Sequence, residues 1–343
     1  MEPWYDSPEI DRQPALRSFD KIDAVACLVG SLAGGLVLAF LCYREGKPHM
    51  GMTNLYGYGT FLFVPLLPGI ITGSISNWRE PTTIGAIWIS AFIVNVLCAI
   101  GLLVTGLEGA VCVAMSIPVT LPVMGLGIVL ARAVLHYGRS RRKILVSAVP
   151  VIVAVGSVSI LYSPGFVSQV ESTTVIINGP PERIWPYLFE LDGLPEPGQW
   201  IFKTGIAFTT GTRSGGQKVG DWRQCMLTTG NMNETIAAVE PNRYLRFNVL
   251  NTPPSMRESN PFYDIHPRHE MGTFVVHWGE FRLEALPGGR TRLTGTSSYS
   301  YNIYPAWYWG LYTDTVAEQI HVRMMNEIKR RVEAEQVFPR LKH

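Results

Sequence analysis

Charge is scarce in the first half of this 343-residue chain. Between Ala24 and Ala131 the only charged residues are Arg44, Glu45, Lys47, Arg79, Glu80 and Glu108. They fall in the gaps between apolar segments long enough to cross a bilayer, which excludes a water-soluble globule for that half. Cysteine is scarce beyond it: Cys27, Cys42, Cys98 and Cys112 lie in the apolar half and Cys225 stands alone in the rest. No disulfide can therefore form inside the second half. A net charge of +2 and the lack of a dense Lys/Arg cluster after Pro164 argue against a nucleic-acid partner. Phosphate loop, serine elbow and dinucleotide fingerprint are all missing. The mean hydropathy of +0.15 averages a greasy half and a polar one, so it describes neither.

What is present changes character at Ser163-Pro164. Before it, Ala24–Tyr43, Tyr58–Ile75, Ile84–Thr105, Ala110–Leu135 and Ile144–Tyr162 each approach the ~20 residues that cross ~30 Å of hydrocarbon. About five spans are expected. Pro65 and Pro68 make the second the weakest, with a re-entrant hairpin as its alternative. The first segment follows acidic Glu2, Asp6, Glu9 and Asp11 and lacks a small-x-small cleavage site, so it reads as a retained helix and not a signal peptide. Basic residues gather at Arg12, Arg17, Lys21, Arg79 and Arg139–Lys143 on one side, against Arg44 and Lys47 on the other. The positive-inside rule then sets the N-terminus in the cytoplasm and the C-terminal domain outside, in a multi-pass protein of the inner (cytoplasmic) membrane. Gly30 and Gly34 form a GxxxG that lets two helices approach, which leaves self-association possible. Asn95, deep in the third segment, suits a helix-helix hydrogen bond better than a transport path. The domain expectation is a transmembrane region at 1–163 and a folded domain at 164–343.

Beyond the switch, Glu171–Ile177 reads as a β-branched strand, and Pro181-Glu182 opens a short helix where proline and acid suit the first turn. Strands are expected near Phe202–Phe208, Asp221–Leu227, Met232–Glu240, Tyr244–Leu250, Gly272–Leu286 and Thr291–Tyr301, separated by Ser214-Gly215-Gly216, Glu240-Pro241-Asn242 and Pro287-Gly288-Gly289. A helix follows over Ala306–Glu335, with Val316, Ile320, Met324, Ile328 and Val332 forming one ridge. That ridge must bury against the sheet, and it predicts a domain able to fold from about Gln169 onward.

The run Val175-Ile176-Ile177-Asn178-Gly179-Pro180-Pro181-Glu182-Arg183-Ile184-Trp185 resembles the opening strand and helix of the SRPBCC superfamily, the START-like, polyketide cyclase and lipid transport group. Gly279–Leu283 through Pro287–Leu293 resembles its last two strands, and Tyr304–Trp309 with Glu318–Arg323 its closing helix. The resemblance covers roughly Gln169–Glu335. It implies an α+β helix-grip fold, a curved antiparallel sheet around a long C-terminal helix that leaves an apolar cavity, set after an α-helical membrane bundle. It fixes no reaction, because binders, carriers and enzymes share such folds.

Aromatics crowd the final strand and the helix entrance: Tyr299, Tyr301, Tyr304, Trp307, Tyr308, Trp309 and Tyr312. Of these, Tyr299, Tyr304, Trp307 and Trp309 are expected to meet a ligand near the cavity mouth, with packed core or membrane anchoring as the competing roles. His266 and His269, in Asp264–Glu270, sit among Pro254, Asn260, Pro261 and Pro267 and suit a polar covering loop better than a zinc site, since convergent third ligands are not evident. His277 joins the expected ligand group. A general acid/base role for His277, His321 or Glu280 finds no nucleophile or partner in the sequence. No metal and no cofactor is called for. The favoured reading is membrane-anchored binding of a hydrophobic small molecule or lipid. The alternatives are a cyclase or aromatase-type enzyme using the same cavity, or a pocketless interaction module. The partners are then the lipid bilayer and the hydrophobic ligand.

Overall fold

The computed structural model describes residues 16–45, 57–136, 165–267 and 272–337. Two compact units divide the chain, Met1–Leu102 with Met115–Tyr162, and Leu103–Ala114 with Ser163–His343.

The first unit is helical: α1 (Lys21–Glu45), α2 (Val64–Ser76), α3 (Ile84–Val104) and α4 (Ala110–His136). A π-turn at Gly59–Phe63 leads directly into α2, so the residues around Pro65 and Pro68 form one continuous helical segment. Four helical segments, Lys21–Phe40, Gly59–Ser76, Ile84–Val104 and Ala110–His136, are long and apolar enough to cross a membrane. The expected fifth, Ile144–Tyr162, lies outside the described residues, as do the basic residues Arg12 and Arg139–Lys143. Close backbone approach holds these helices together. A Cβ on Gly30 would sit 2.2 Å from Thr72 Oγ1 and 2.8 Å from the Pro68 carbonyl, and one on Gly34 3.2 Å from Pro68 Cγ. The GxxxG of α1 is thus used against α2 of the same chain. Asn95 Nδ2 donates to Thr120 Oγ1 at 2.9 Å, joining α3 to α4. Arg17 is tied to buried Asp23 and donates to the Ser76 carbonyl at 2.8 Å.

The second unit is a seven-stranded antiparallel sheet closed by a long helix, in the order β1-β7-β6-β5-β4-β3-β2. Its elements are β1 (Val167–Ile177), the short helix α5 (Pro181–Ile184), β2 (Thr209–Ser214), β3 (Trp222–Leu227), β4 (Gly230–Glu240), β5 (Tyr244–Val249), β6 (Phe274–Leu286), β7 (Arg290–Tyr301) and α6 (Ala306–Val337). Register shifts at Thr209/Gly211, Ile236/Ala238 and Val276/Trp278 each insert a local kink that helps the sheet curl. Met324, Met325, Ile328 and Val332 of α6 bury against Ile177, Leu245, Phe247, Phe281, Leu283 and Leu293 of the inner sheet face. Gly279 makes room for this layer, since a Cβ there would lie 2.4 Å from Phe247 Cζ. Ile320 and Val316, one and two turns earlier on the ridge, pack instead with Phe202, Ile206 and Met256.

One expected strand is not there. Residues Trp200–Thr204 form a 3-10 turn ended by Gly205 at φ 98, and the strand falls at Thr209–Ser214. Phe202 lies in that turn, and Ile206 makes only an isolated antiparallel bridge to Met256, with which both residues are buried.

The α3–α4 connection, Leu103–Ala114, belongs to this second unit. Asn260 Nδ2 donates to the carbonyls of Leu103 and Glu108 at 2.9 and 3.1 Å, and the Ser259 carbonyl accepts from Ala110 N–H at 2.8 Å. The buried Glu258 carboxylate accepts the N–H groups of Val111 and Cys112 at 3.3 and 3.0 Å. These are first-turn amides of α4 with no partner inside the helix, and a carboxylate there also meets the positive end of the helix dipole.

Candidate functional site

Alternation along β1 and β7 sends Thr173, Ser297 and Tyr299 to the inner face, where α6 brings His321 against them. His321 is the centre of the interior polar group. Its Nδ1 lies 3.2 Å from Thr173 Oγ1 and its Nε2 2.7 Å from Ser297 Oγ. Burial pushes its pKa down to about 4, because the imidazolium would lose its hydration with no carboxylate to replace it. The neutral ring donates through one nitrogen and accepts through the other. The two hydroxyls are thereby oriented, with capacity left for a further hydrogen bond. The same elements carry apolar clusters: Met325 of α6 and Leu293 of β7 belong to the main core, and Val276, Phe274 and Ala317 pack with Tyr299.

The aromatic residues at the helix entrance separate into inward and outward groups. Tyr299 is 1% exposed, lies 5.2 Å from the Phe274 ring and donates to Asp314 Oδ1 at 2.6 Å. Burial, with Asp314 beside it, raises its pKa above the ordinary phenol value. Burial likewise raises Glu171 on β1, helped by the charges of Asp314 and Glu318. Tyr304 donates to the Gly165 carbonyl at 3.0 Å, and Trp309 is buried in edge-on contact with Tyr308 at 5.1 Å. Trp307 is 69% exposed. Neighbouring helix positions explain the difference: residues 308 and 309 face the domain, and 307 turns from it.

The histidines are placed apart. His277 sits at the register shift of β6, and its Nε2 meets Ser300 Oγ at 2.8 Å on the outer face of the sheet. His266 is exposed on the β5–β6 connection, and His269 lies outside the described residues. Glu280 is also on the outer face, where it accepts from Tyr244 at 2.8 Å and from Arg246 and Arg282 at 3.4 and 3.1 Å. It therefore shares no site with His321. Among the described residues no cluster of His, Cys, Asp and Glu is arranged to hold a metal ion.

A second interior polar group lies on β3 and β4, and sequence reading gave no sign of it. Arg223 and Glu234 are register partners on the inner face, 2% and 1% exposed, and form a direct ion pair. Arg223 Nε also donates to the Leu188 carbonyl at 3.0 Å, and its guanidinium lies 4.4 Å over the Phe247 ring. Burial raises the Glu234 pKa while the guanidinium opposes the rise. Burial also pushes the thiol of neighbouring Cys225 up to about 12, so it is an inert thiol. Only the register, which brings Arg223 opposite Glu234, could have revealed the pair.

Residues 169–299 match the family model described as polyketide cyclase / dehydrase and lipid transport. This is the group that the opening and closing strands resemble. No curated protein matches the chain at a significant level. Among solved structures, the Zhui aromatase/cyclase from Streptomyces sp. R1128 is similar at 15% identity and a TM-score of 0.33, with 49% of this chain and 96% of that one covered. Truncated norcoclaurine synthase from Thalictrum flavum is similar at 10% identity and a TM-score of 0.32, covering 53% and 99%. The Aha1 dimer from Colwellia psychrerythraea follows at 16% identity and 0.28, covering 48% and 96%. Likeness at this level carries nothing about activity.

Proposed function

We propose that this chain is a multi-pass protein of the cytoplasmic membrane that holds a hydrophobic small molecule or lipid between the sheet and α6 of its extracytoplasmic domain. The observation that carries the reading is the neutral His321, set with Thr173 and Ser297 in an interior built largely of apolar and aromatic side chains. Sites for hydrophobic ligands have this composition, with apolar burial supplying affinity at ~25 cal/mol per Å² and a few polar groups fixing orientation. The family description, which names lipid transport, supports the same reading. Tyr299, Tyr304 and Trp309 line the route inward from the start of α6, exposed Trp307 forms its rim, and His266, on the β5–β6 connection, covers it. His277, on the outer face, has no part in this reading. The basic-residue asymmetry supports the orientation. Alkaline phosphatase fused after His343 should be active, and a silent phosphatase would reverse the sidedness.

Native mass spectrometry of the full chain, stripped of bulk lipid, tests the binding itself. One hydrophobe per chain is expected to survive in the wild type and to be lost in Ser297→Trp, which fills the space beside His321. An identical adduct in both would remove the ligand from this interior. The cyclase or aromatase reading shares the site, and a neutral imidazole held by two hydroxyls is the protonation state a proton acceptor needs. Chemical conversion of the bound hydrophobe during turnover would favour it.

A further inference from the structure

The ion pair of β3 and β4 leaves two buried polar atoms unsatisfied. Arg223 takes up Glu234 Oε2, but Glu234 Oε1 has no hydrogen-bond partner among the described residues, and neither has Oγ1 of Thr212. Thr212 is fully buried on β2, is the register partner of Cys225, and its backbone is fixed by paired bonds with Leu191 at 2.8 and 2.9 Å. Cys225 separates the two orphans and offers them little: its thiol is 3.7 Å from Thr209 Oγ1. One carboxylate oxygen and one hydroxyl without partners therefore share the inner face, on the two strands that flank β3. Leaving such groups bare forfeits the hydration they had in water, and a buried charge pair is best tolerated when its remaining lone pairs are used. Packing does not explain the arrangement, since apolar side chains at both 223 and 234 would fill the space without leaving a polar atom bare.

We propose that Glu234 Oε1 is the specificity-determining acceptor for the ligand, and that the ligand is a hydrophobe bearing a hydroxyl or phenol donor. The inference rests on the hydrophobic-ligand reading above and deepens it. Arg223 is the positioning residue. Its bond to the Leu188 carbonyl and its stacking over Phe247 fix the guanidinium, which in turn holds Oε2 and aims Oε1 along the inner face. Thr212 supplies a second hydroxyl for the same ligand group or for a neighbouring oxygen. A ligand that only accepts hydrogen bonds meets a lone pair at Oε1 and is rejected, which is the asymmetry by which a site with a buried polar group discriminates most strongly.

The test uses the full chain in lipid nanodiscs and two probes of nearly equal shape, 2-naphthol and 2-methoxynaphthalene, by calorimetry with empty nanodiscs subtracted. The wild type is expected to bind the naphthol at least about tenfold more tightly, as a hydrogen bond to a buried charged acceptor implies. Glu234→Gln keeps a carbonyl for Arg223 and puts an NH2 where Oε1 stands, so the preference should fall to parity or reverse. Thr212→Val, nearly isosteric, should cost the naphthol about threefold and serves as the second variant should Glu234→Gln fail to fold. Equal binding of both probes by the wild type overturns the proposal while leaving the hydrophobic-ligand reading in place. So does a naphthol preference that survives Glu234→Gln. Binding of neither probe contradicts the hydrophobic-ligand reading itself.

Discussion

The helical unit and the sheet unit bury their interiors in opposite ways. In the first, small residues let backbone meet backbone: a Cβ on Gly69 would lie 2.3 Å from the Met124 carbonyl oxygen, one on Gly73 2.6 Å from Ile128 Cα, and one on Gly127 2.6 Å from the Leu66 carbonyl oxygen. In the second, large side chains fill the space, and Tyr299, Tyr301, Phe189, Leu293 and Met325 are among the most deeply buried. The solvent explains the contrast. Lipid gives apolar helices no hydrophobic reason to associate, so close packing has to hold them. Water rewards burial of apolar area in the sheet domain. A helix packed backbone to backbone leaves little room for chemistry. The sheet domain keeps interior polar groups within its apolar walls, and function is assigned there.

The largest effect that separates the two units is a charge placed on the α6 ridge. Ile328 is fully buried against the sheet, so Ile328→Asp should cost the sheet domain about 4–5 kcal/mol. Thermal unfolding followed by near-UV dichroism should show that domain melting early; an unchanged transition would mean α6 is not gripped by the sheet. The reverse substitution, volume added to the helical unit, comes next. Gly69→Val drives a side chain into the Met124 backbone and should cost about 3 kcal/mol or more. Cys27, fully buried beside Met124, should then react with a membrane-permeant maleimide while the sheet domain melts as before. A thiol still protected would show that this contact can relax.

Acid should weaken the sheet domain through His321. Folding lowers its pKa from 6.5 to about 4, so the unfolded chain takes up the proton first as pH falls. The stabilisation is complete above about pH 6.5 and declines towards pH 4, by up to about 3 kcal/mol. His321→Gln should flatten stability across that window; a wild type that is already flat would mean the ring is hydrated. The smallest effect belongs to the surface. Arg292 and Glu284 meet at 2.7 Å but are 45% and 59% exposed, so Glu284→Gln should change stability by no more than about 0.5 kcal/mol. A larger loss would make the outer face part of the packed structure.

Periodicity made much of this architecture legible. The ridge Val316, Ile320, Met324, Ile328 and Val332 located α6, and turn chemistry at Pro287-Gly288-Gly289 located the β6–β7 hairpin. The first strand of the hairpin series was misplaced, because Thr209–Ser214 at the sheet edge is small and polar and reads as a turn, whereas Phe202 and Ile206 read as a strand. The site was less legible than the fold. Aromatic density pointed to Tyr299 and Trp309, which are buried, and also to Trp307, which is exposed. His277 reads as part of the ligand group and His321 does not, and only the bulge in β6 decides that His277 faces outward. Arg223 and Glu234 are eleven residues apart, and no local pattern shows that a strand pairing brings them together inside the domain.

The central claim, that the interior of the sheet domain holds a hydrophobe, is tested most directly by photo-crosslinking. A diazirine-bearing fatty acid would be irradiated with the full chain in nanodiscs and the labelled peptides mapped. Labels on β7 and α6 around Ser297, Tyr299 and His321, suppressed by Ser297→Trp, are the expected result. Labelling confined to the helices between Lys21 and His136, with none on β7 or α6, would contradict it.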